Sequence, residues 1–325
     1  MSALSSLRAR RVRLAIASVA LATTGALFLS GCTSSRSPAG PNALSSLGEI
    51  VSSPRLTEIS GLAASRRSPD LLWAHNDSGD GPLLYALDAS GNLRGIVRIE
   101  GATARDWEDM ASFTLDGVAW LLIGDVGDNA STRTDAMLYL VREPDPAALH
   151  PTRELTVAPA ARLPVRYSDG PRDCEALAVD PATRTIFLLS KRTLPVDLYT
   201  LPLTTDPIAA ADTPPAERLV SLDLPQPSAV QMLTPTPAGR YGAQPTALDL
   251  AADGSVAAVL TYANVWLFPR EPGETWATAF ARYPVGLAPT RLFQAEALCF
   301  AADSRSVIFT TEGPNAPLVV RRIDD

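Results

Sequence analysis

A chain made only of β-strands, in repeated four-strand units, is what three features of this sequence predict. Its apolar residues fall in short β-type runs, with no sustained helical period. Turn pairs such as Ser90-Gly91, Asp116-Gly117 and Asp253-Gly254 break those runs. An internal repeat then returns five times between residues 47 and 325.

The first thirty-one residues stand apart from that pattern. Arg8, Arg10, Arg11 and Arg13 precede an apolar stretch from Leu14, and Leu29-Ser30-Gly31-Cys32 follows it. This is the order of a secretory signal, so residues 1–31 are not expected to belong to the fold. The tetrapeptide resembles the bacterial lipobox, which implies cleavage before Cys32 and acylation of its thiol, palmitate being one such chain. Membrane attachment would then be through lipid alone. Thr33 stands where an Asp would imply retention in the inner membrane, so the outer membrane is the implied location in a two-membrane bacterium. Residues 32–46, rich in Ser, Pro and Gly, read as a flexible tether, and 47–325 as the folded domain.

Charge narrows the function. The chain carries 28 basic residues against 35 acids; without the four arginines of the signal the charge is −11. Nucleic acid is excluded as a partner, because phosphate contacts need clustered cations. Bound cations suit such a surface better, and a monomer is expected. With Cys32 lipidated, only Cys174 and Cys299 remain. They lie in non-neighbouring repeats and are expected as buried free thiols, although an oxidising compartment would permit a disulfide.

The five segments begin at Glu58 (EISGLAAS…LLWAHND…LLYALD…GIVRIEG), Glu108 (EDMASF…WLLIGDVGDN…MLYLVREP…ELTVAP), Glu175 (EALAVDP…TIFLLSKR…DLYTLPL…RLVSLDL), Thr246 (TALDLAADGSVAAVLTY…VWLFPREP…AFARYPV) and Glu296 (EALCFAADSRSVIFTTEG…LVVRRI). Four-strand units at this spacing predict the blades of a β-propeller. The fifth segment ends after three strands, and the spare run GEIVSS at 48–53 is expected to complete it and close the ring. Five blades are favoured; the long spacings after Glu108 and Glu175 leave room for a sixth.

In an antiparallel blade the start of the innermost strand and the end of the second lie on one face. Glu58 would thus share a face with Asn76 and Asp77, Glu108 with Asp125, Glu175 with Lys191, and Glu296 with Glu312, around one channel mouth. Crowded carboxylates call for a cation or a proton. The donors are oxygens without a His or Cys cluster, which suits calcium or another hard divalent cation. The expected ligands are Glu58, Asp77, Asp80, Glu108, Asp125, Asp128, Glu175 and Glu296, with Asp109, Asn129 and Glu312 as further donors. Two loops, Asp77-Ser78-Gly79-Asp80 and Asp125-Val126-Gly127-Asp128, share the pattern Asp-x-Gly-Asp, which also serves tight turns. Pairing of Glu108 with Arg105 and of Glu175 with Arg172 is the structural alternative.

Lys191 is the only lysine beside 27 arginines, and it falls where other blades carry acids. A compact ammonium there would hold a phosphate, a carboxylate or Glu175. If the site is catalytic, Glu108 or Asp125 would be the base and Lys191 the anion holder. His75 adjoins the first loop and reads as polar surface or, alternatively, as a catalytic group. Trp107 and Asp106 enter the second blade, as Tyr167-Ser168-Asp169-Gly170 and Asp173 enter the third; packing between blades is the default for the tryptophan.

The motifs EISGL, DWEDMA, GDVGDN, DCEALAVDP with LLSKR, and QAEALCF with TTEG resemble a family of uncharacterised secreted bacterial β-propeller lipoproteins, over roughly Pro54 to Asp325. The pattern is more distantly similar to phytase-like propellers, the "esterase-like activity of phytase" group, and to SMP-30/gluconolactonase-like propellers. That resemblance implies a divalent ion at the channel, with Glu58 as the one position matching a gluconolactonase metal ligand, and hydrolysis of phosphate esters or lactones in some members. The lactonases' Asn ligands and catalytic Asp have no counterpart here, since the fourth segment offers Thr246 and Thr261. The phytases' basic set is represented only by Lys191 and Arg192. The resulting expectation is a lipid-anchored envelope propeller binding calcium and a small anionic ligand or a protein partner at its mouth. A calcium-dependent hydrolase and an envelope scaffold are the alternatives.

Overall fold

The computed structural model describes residues 50–206, 212 and 214–324, so the signal, Cys32 and the tether lie outside the described residues. The described residues form five sheets. Blade 1 holds β1 (Ile59–Ala64), β2 (Leu71–Asn76), β3 (Leu83–Asp88) and β4 (Leu93–Ile99). Blade 2 holds β5 (Trp107–Leu115), β6 (Val118–Asp125) and β7 (Met137–Arg142). After an excursion through β8 (Glu154–Val157) it is completed by β9 (Ala161–Pro164). Blade 3 runs β10 (Cys174–Asp180), β11 (Thr185–Ser190), β12 (Val196–Pro202) and β13 (Glu217–Leu222). Blade 4 runs β14 (Pro245–Leu250), β15 (Val256–Thr261), β16 (Asn264–Pro269) and β17 (Val285–Pro289). Blade 5 has β18 (Ala295–Phe300), β19 (Ser306–Thr311) and β20 (Val319–Arg322).

The first strands β1, β5, β10, β14 and β18 pack side by side in that order, and β18 returns against β1. They are buried on both faces, which is why Ile59–Ala64, Cys174–Asp180 and Ala295–Phe300 read as nearly unbroken apolar runs. The core sits in the seams between blades. One cluster joins blades 2 and 3 through Leu122, Leu140, Leu177 and Leu188, and others fill the remaining four seams. This is the five-bladed propeller expected from the repeats.

Of GEIVSS, Gly48 and Glu49 lie outside the described residues, and closure is seen from Ile50 onward. A single bridge joins Ile50 to Pro317, and Val51 N–H donates to Ala316 O at 2.9 Å. Val51 and Leu56 then bury themselves among Leu318, Ile308 and the apolar residues of blade 1. Two other assignments change. ELTV, expected at the edge of blade 2, lies parallel to β4 as a fifth strand on blade 1. There Leu155 and Val157 reach the apolar seam between blades 1 and 2, and the close passage of Leu149 requires Gly95, where a Cβ would lie 2.7 Å from the leucine. AFARYPV is not a strand throughout, since Ala279 and Phe280 end a helix and only Val285 belongs to β17. Thr275 caps a short helix (Trp276–Phe280), whose Trp276, Ala279 and Phe280 share one face against Phe187 and Phe268.

The long spacings hold insertions rather than a sixth sheet among the described residues. That after β13 carries two single-turn helices at Ala229–Met232 and Pro237–Arg240. Cys174 and Cys299 are both buried and unpaired, as expected.

Candidate functional site at the channel mouth

Every blade bends its first strand at the same point. The pairing of first with second strand slips between Ile59 and Gly61, Trp107 and Met110, Cys174 and Ala176, Pro245 and Ala247, and Ala295 and Ala297. The residues left over are Ser60, Glu108 with Asp109, Glu175, Thr246 and Glu296. A bulge re-aims the side chain it frees, and here it brings three glutamates, at most 5% exposed, to the head of the channel.

This register corrects the first repeat. Ser60, not Glu58, is the equivalent of Glu108, and its Oγ donates to Glu108 Oε2 at 3.3 Å. Glu58, expected as a ligand, falls in the row of Asp106, Asp173 and Gln294 and is exposed on the outer lip. Its charge still reaches Glu312.

The second strands end on a matching row: Asn76, Asp125, Ser190, Thr261 and Thr311 lie opposite Ile59, Trp107, Cys174, Pro245 and Ala295. Asn76 Oδ1 accepts from the backbone N–H groups of Thr57 and Glu58 at 3.2 and 3.1 Å. Asp125 does the same for Arg105 and Asp106 at 3.4 and 3.1 Å. It also accepts from Thr103 Oγ1 at 2.8 Å and Arg133 Nη2 at 2.9 Å. Asp125 is therefore a staple for the entry turn, committed to four donors, and not the free ligand or base the sequence suggests.

The next residue along is Asp77, Val126, Lys191, Tyr262 or Glu312. Asp77 joins Asp106 and Glu108, Lys191 meets Glu175, Tyr262 lies under the Lys191 ammonium, Glu312 accepts from Gln294, and Val126 packs into the apolar seam. The two Asp-x-Gly-Asp loops are thus one residue out of step. Asp80 accepts from Asn76 Nδ2 and Tyr85 OH, both at 2.8 Å, and Asp128 from Arg133 N–H at 2.6 Å. Those two acids, also expected as ligands, act as turn braces. Arg105 pairs with Asp135 and Arg172 with Asp169, so neither neutralises the repeat glutamates.

The mouth divides into two halves. On the side of blades 1 and 2, carboxylate oxygens of Asp77, Asp106 and Glu108 all lie within 4.8 Å of one another. Gly127 leaves room for them, since a Cβ there would stand 2.2 Å from Glu108 Oε1 and 2.6 Å from the Asp106 carboxylate. Glu108 also lies near enough to Glu175 for that carboxylate's charge to add to the effect of burial on it. On the side of blades 3 to 5, Lys191 Nζ meets Glu175 Oε2 at 2.8 Å, with only 6% and 5% of the side chains exposed. The ammonium lies 5.1 Å from the Tyr262 ring centre. Gln294 Nε2 donates to Glu296 Oε1 at 3.0 Å and to Glu312 Oε2 at 2.6 Å.

Electrostatics follow that division. Burial and then the charge of Asp106 push Asp77 up to about 7. Burial, Glu175 and Asp77 raise Glu108 well above the carboxylate range, and burial raises Asp106 despite Arg133. Glu296 is pushed up to about 8 by burial, against the pull of Lys191. Burial alone would depress Lys191, but Glu175, Glu296, Tyr262 and Glu108 together hold it well above its usual value, so it stays an ammonium.

Below the mouth the channel acids are structural. Asp109 accepts from the backbone N–H groups of Met110, Leu177 and Leu248 at 2.8, 2.9 and 3.0 Å, tying β5, β10 and β14 together. Asp249 ties β14 to β18 through Leu250 and Phe300 N–H. His75 lies within β2, fully buried, with Nδ1 2.9 Å from Asn76 O and its ring edge-on to Trp107 at 5.2 Å. Burial pushes it down to about 4, so it is neutral at neutral pH. Asp106 was legible only as part of a turn. The signal for it is the acid two residues before the repeat glutamate, seen again in Asp173 before Glu175.

No protein-family model matches this chain, and no curated protein matches it by sequence. Some solved structures align with it at low identity. The PQQ-bound aldose sugar dehydrogenase of Streptomyces coelicolor aligns with a TM-score of 0.45 and 10% identity over 85% of this chain and 97% of that one. A gluconolactonase of Xanthomonas campestris, XC5397, gives 0.43 and 12% over 81% and 72%. A chain from a nidogen/laminin complex gives 0.43 and 11% over 79% and 73%.

Proposed function

We propose that this propeller holds one divalent cation, calcium by preference, at Asp77, Asp106 and Glu108, and that a small anionic ligand is gathered between that cation and Lys191. One observation carries the reading: three carboxylates converge within 4.8 Å on the half of the mouth that has no ammonium. Their donors are hard oxygens, and a loop glycine keeps the space open, which suits calcium's loose geometry. The cation would offset the burial and mutual repulsion that now raise these carboxyls. Chelator treatment of the purified protein is expected to lower its melting temperature and added calcium to restore it, by mass action on the folded state. A melting curve that ignores both additions refutes the reading.

A hydrolytic use of the same mouth is favoured by the buried Lys191 ammonium standing 2.8 Å from Glu175 beside the carboxylate cluster. A bound cation supplies a Lewis acid for a phosphate ester or lactone. Glu108 would then take the proton from the attacking water, and Lys191 would hold the substrate's anion. Turnover of a phosphate-ester and lactone panel that is calcium-dependent and lost in Glu108→Gln tests this; no turnover ends it. In the scaffold reading, the exposed Val230, Met232 and Leu233 beside the insertion helices would meet an envelope protein. In every version the domain is carried at the envelope, facing from the outer membrane, by lipid on Cys32. Loss of membrane partition in Cys32→Ser checks that.

A further inference from the structure

Three loops of blades 3 to 5 present large apolar side chains to solvent. They are the β11–β12 turn with Leu194, the connection from β13 to β14 with Val230, Leu233 and Tyr241, and the entry to β18 with Phe293. Leu233 is 83% exposed, Phe293 65% and Leu194 60%. Strand register sets all three loops at the mouth end of their blades, because Leu222 lies opposite Val196 and Pro289 opposite Asn264.

The loops share a frame. Ala263 N–H donates to Gly242 O at 3.3 Å and Thr290 N–H to Ala263 O at 2.9 Å, so the chain just after Tyr241 and just before Phe293 meets on the β15–β16 turn. That turn also carries Tyr262, whose ring takes the Lys191 ammonium at the head of the Leu194 loop. The apolar tips therefore belong to one lip.

Charge on this lip runs against the rest of the chain. The protein has 35 acids, yet none between Asp223 and Asp249 or between Glu274 and Glu296. Arg240 and Arg291 lie in those stretches, both exposed, and neither forms an ion pair among the described residues. Arg240 stacks on Tyr241 at 5.3 Å. The lip of blades 1 and 2 is opposite in character, with Glu58 and Asp135 exposed.

We propose that the lip of blades 3 to 5 docks on a bilayer surface of anionic lipid. Apolar tips rising from separate loops suit an acyl phase, which takes any shape, and unpaired guanidinium groups beside them suit lipid phosphates. Arg and Tyr bury an apolar stem while keeping the polar end at headgroup level. Docked this way, the ammonium half of the mouth lies against the headgroups and the acids of blades 1 and 2 stay in water. The contact needs neither lipid on Cys32 nor a cation, and it is reversible and weakened by salt.

The test is co-sedimentation of the mature chain carrying Cys32→Ser, in chelator, with vesicles of phosphatidylcholine alone or of equal parts phosphatidylcholine and phosphatidylglycerol. Binding to the anionic vesicles is expected, about tenfold tighter than to the neutral ones and released by high salt. Leu233→Asp and Phe293→Asp, at exposed positions that leave the melting temperature unchanged, should each weaken it about tenfold. Arg240→Ala and Arg291→Ala should each weaken it about fivefold. Tyr283→Asp, beside the outer strand of blade 4, should leave it unchanged. No vesicle binding, equal binding to both vesicles, or affinity unaltered in the Leu233 and Phe293 variants would overturn the inference. Absent vesicle binding with an envelope protein cross-linked through position 293 would give the lip to a protein partner instead. Since high salt releases this contact, partition of Cys32→Ser in high salt still reports on the lipid anchor alone.

Discussion

The two halves of the channel mouth use the same repeat position to opposite ends. On blades 3 to 5, Glu175 and Glu296 surround an ammonium supplied by the chain, and the charge is settled internally. On blades 1 and 2, Asp77, Asp106 and Glu108 face each other, and the nearest guanidinium, Arg133, is turned to Asp125. The comparison teaches that acid crowding is compensated locally. Lys191 makes half the ring a structural element and leaves the other half open to an external cation.

The largest effect comes from breaking the closed half. Lys191→Met leaves Glu175 and Glu296 buried without their cation, and removal of one partner of a buried pair costs about 3–5 kcal/mol. Urea unfolding should show that loss, and a change under 1 kcal/mol would mean that Lys191 does not balance the ring. Next, Gly127→Ala should cost about 1–3 kcal/mol by overpacking, because its methyl group displaces Glu108 and Asp106. It should also weaken calcium's effect on melting, whereas a variant with wild-type stability and calcium response would show that the loop has room to spare.

The pH dependence sharpens the contrast further. Asp77 and Glu296 have folded pKa values of about 7 and 8, above their unfolded values, so the folded state binds more protons in between. The stability they lend is full below about pH 4 and lost as pH rises through 7 to 8. Metal-free protein should therefore melt progressively lower from pH 5 to pH 8, and calcium should flatten the slope by keeping Asp77 ionised at less cost. Parallel slopes with and without calcium would separate Asp77 from the cation. The smallest effect is expected at Asp80→Asn. Asp80 only braces Asn76 and Tyr85, so calcium's shift in melting temperature should survive. Its loss would bring Asp80 into the ligand set.

Much of the ring was legible because the repeat is a register device. Glu108, Glu175 and Glu296 recur at one place relative to the apolar run, and the structure puts each on a bulge. The loops were harder, because a side-chain period of two makes a one-residue offset decisive. Asp77 and Asp125 look equivalent in the sequence, yet Asp125 shares its row with Asn76 and bonds backbone N–H groups as Asn76 does. Which acids are taken as staples depends on donors such as Arg133 and Tyr85, placed by other turns. The parallel attachment of β8 depends on an open edge of another blade, and no local pattern in ELTV announces it. The helix at Trp276 was hidden because three aromatic and small residues at helical spacing sit in a segment too short to show a period.

Calcium titration by calorimetry near pH 7.5, on wild-type protein beside Glu108→Gln and Asp128→Asn, tests the division most directly. One ion per chain is expected in wild type and in Asp128→Asn, with proton release from the raised carboxyls, and no binding is expected in Glu108→Gln. Equal binding in all three, or none in wild type, would contradict the account.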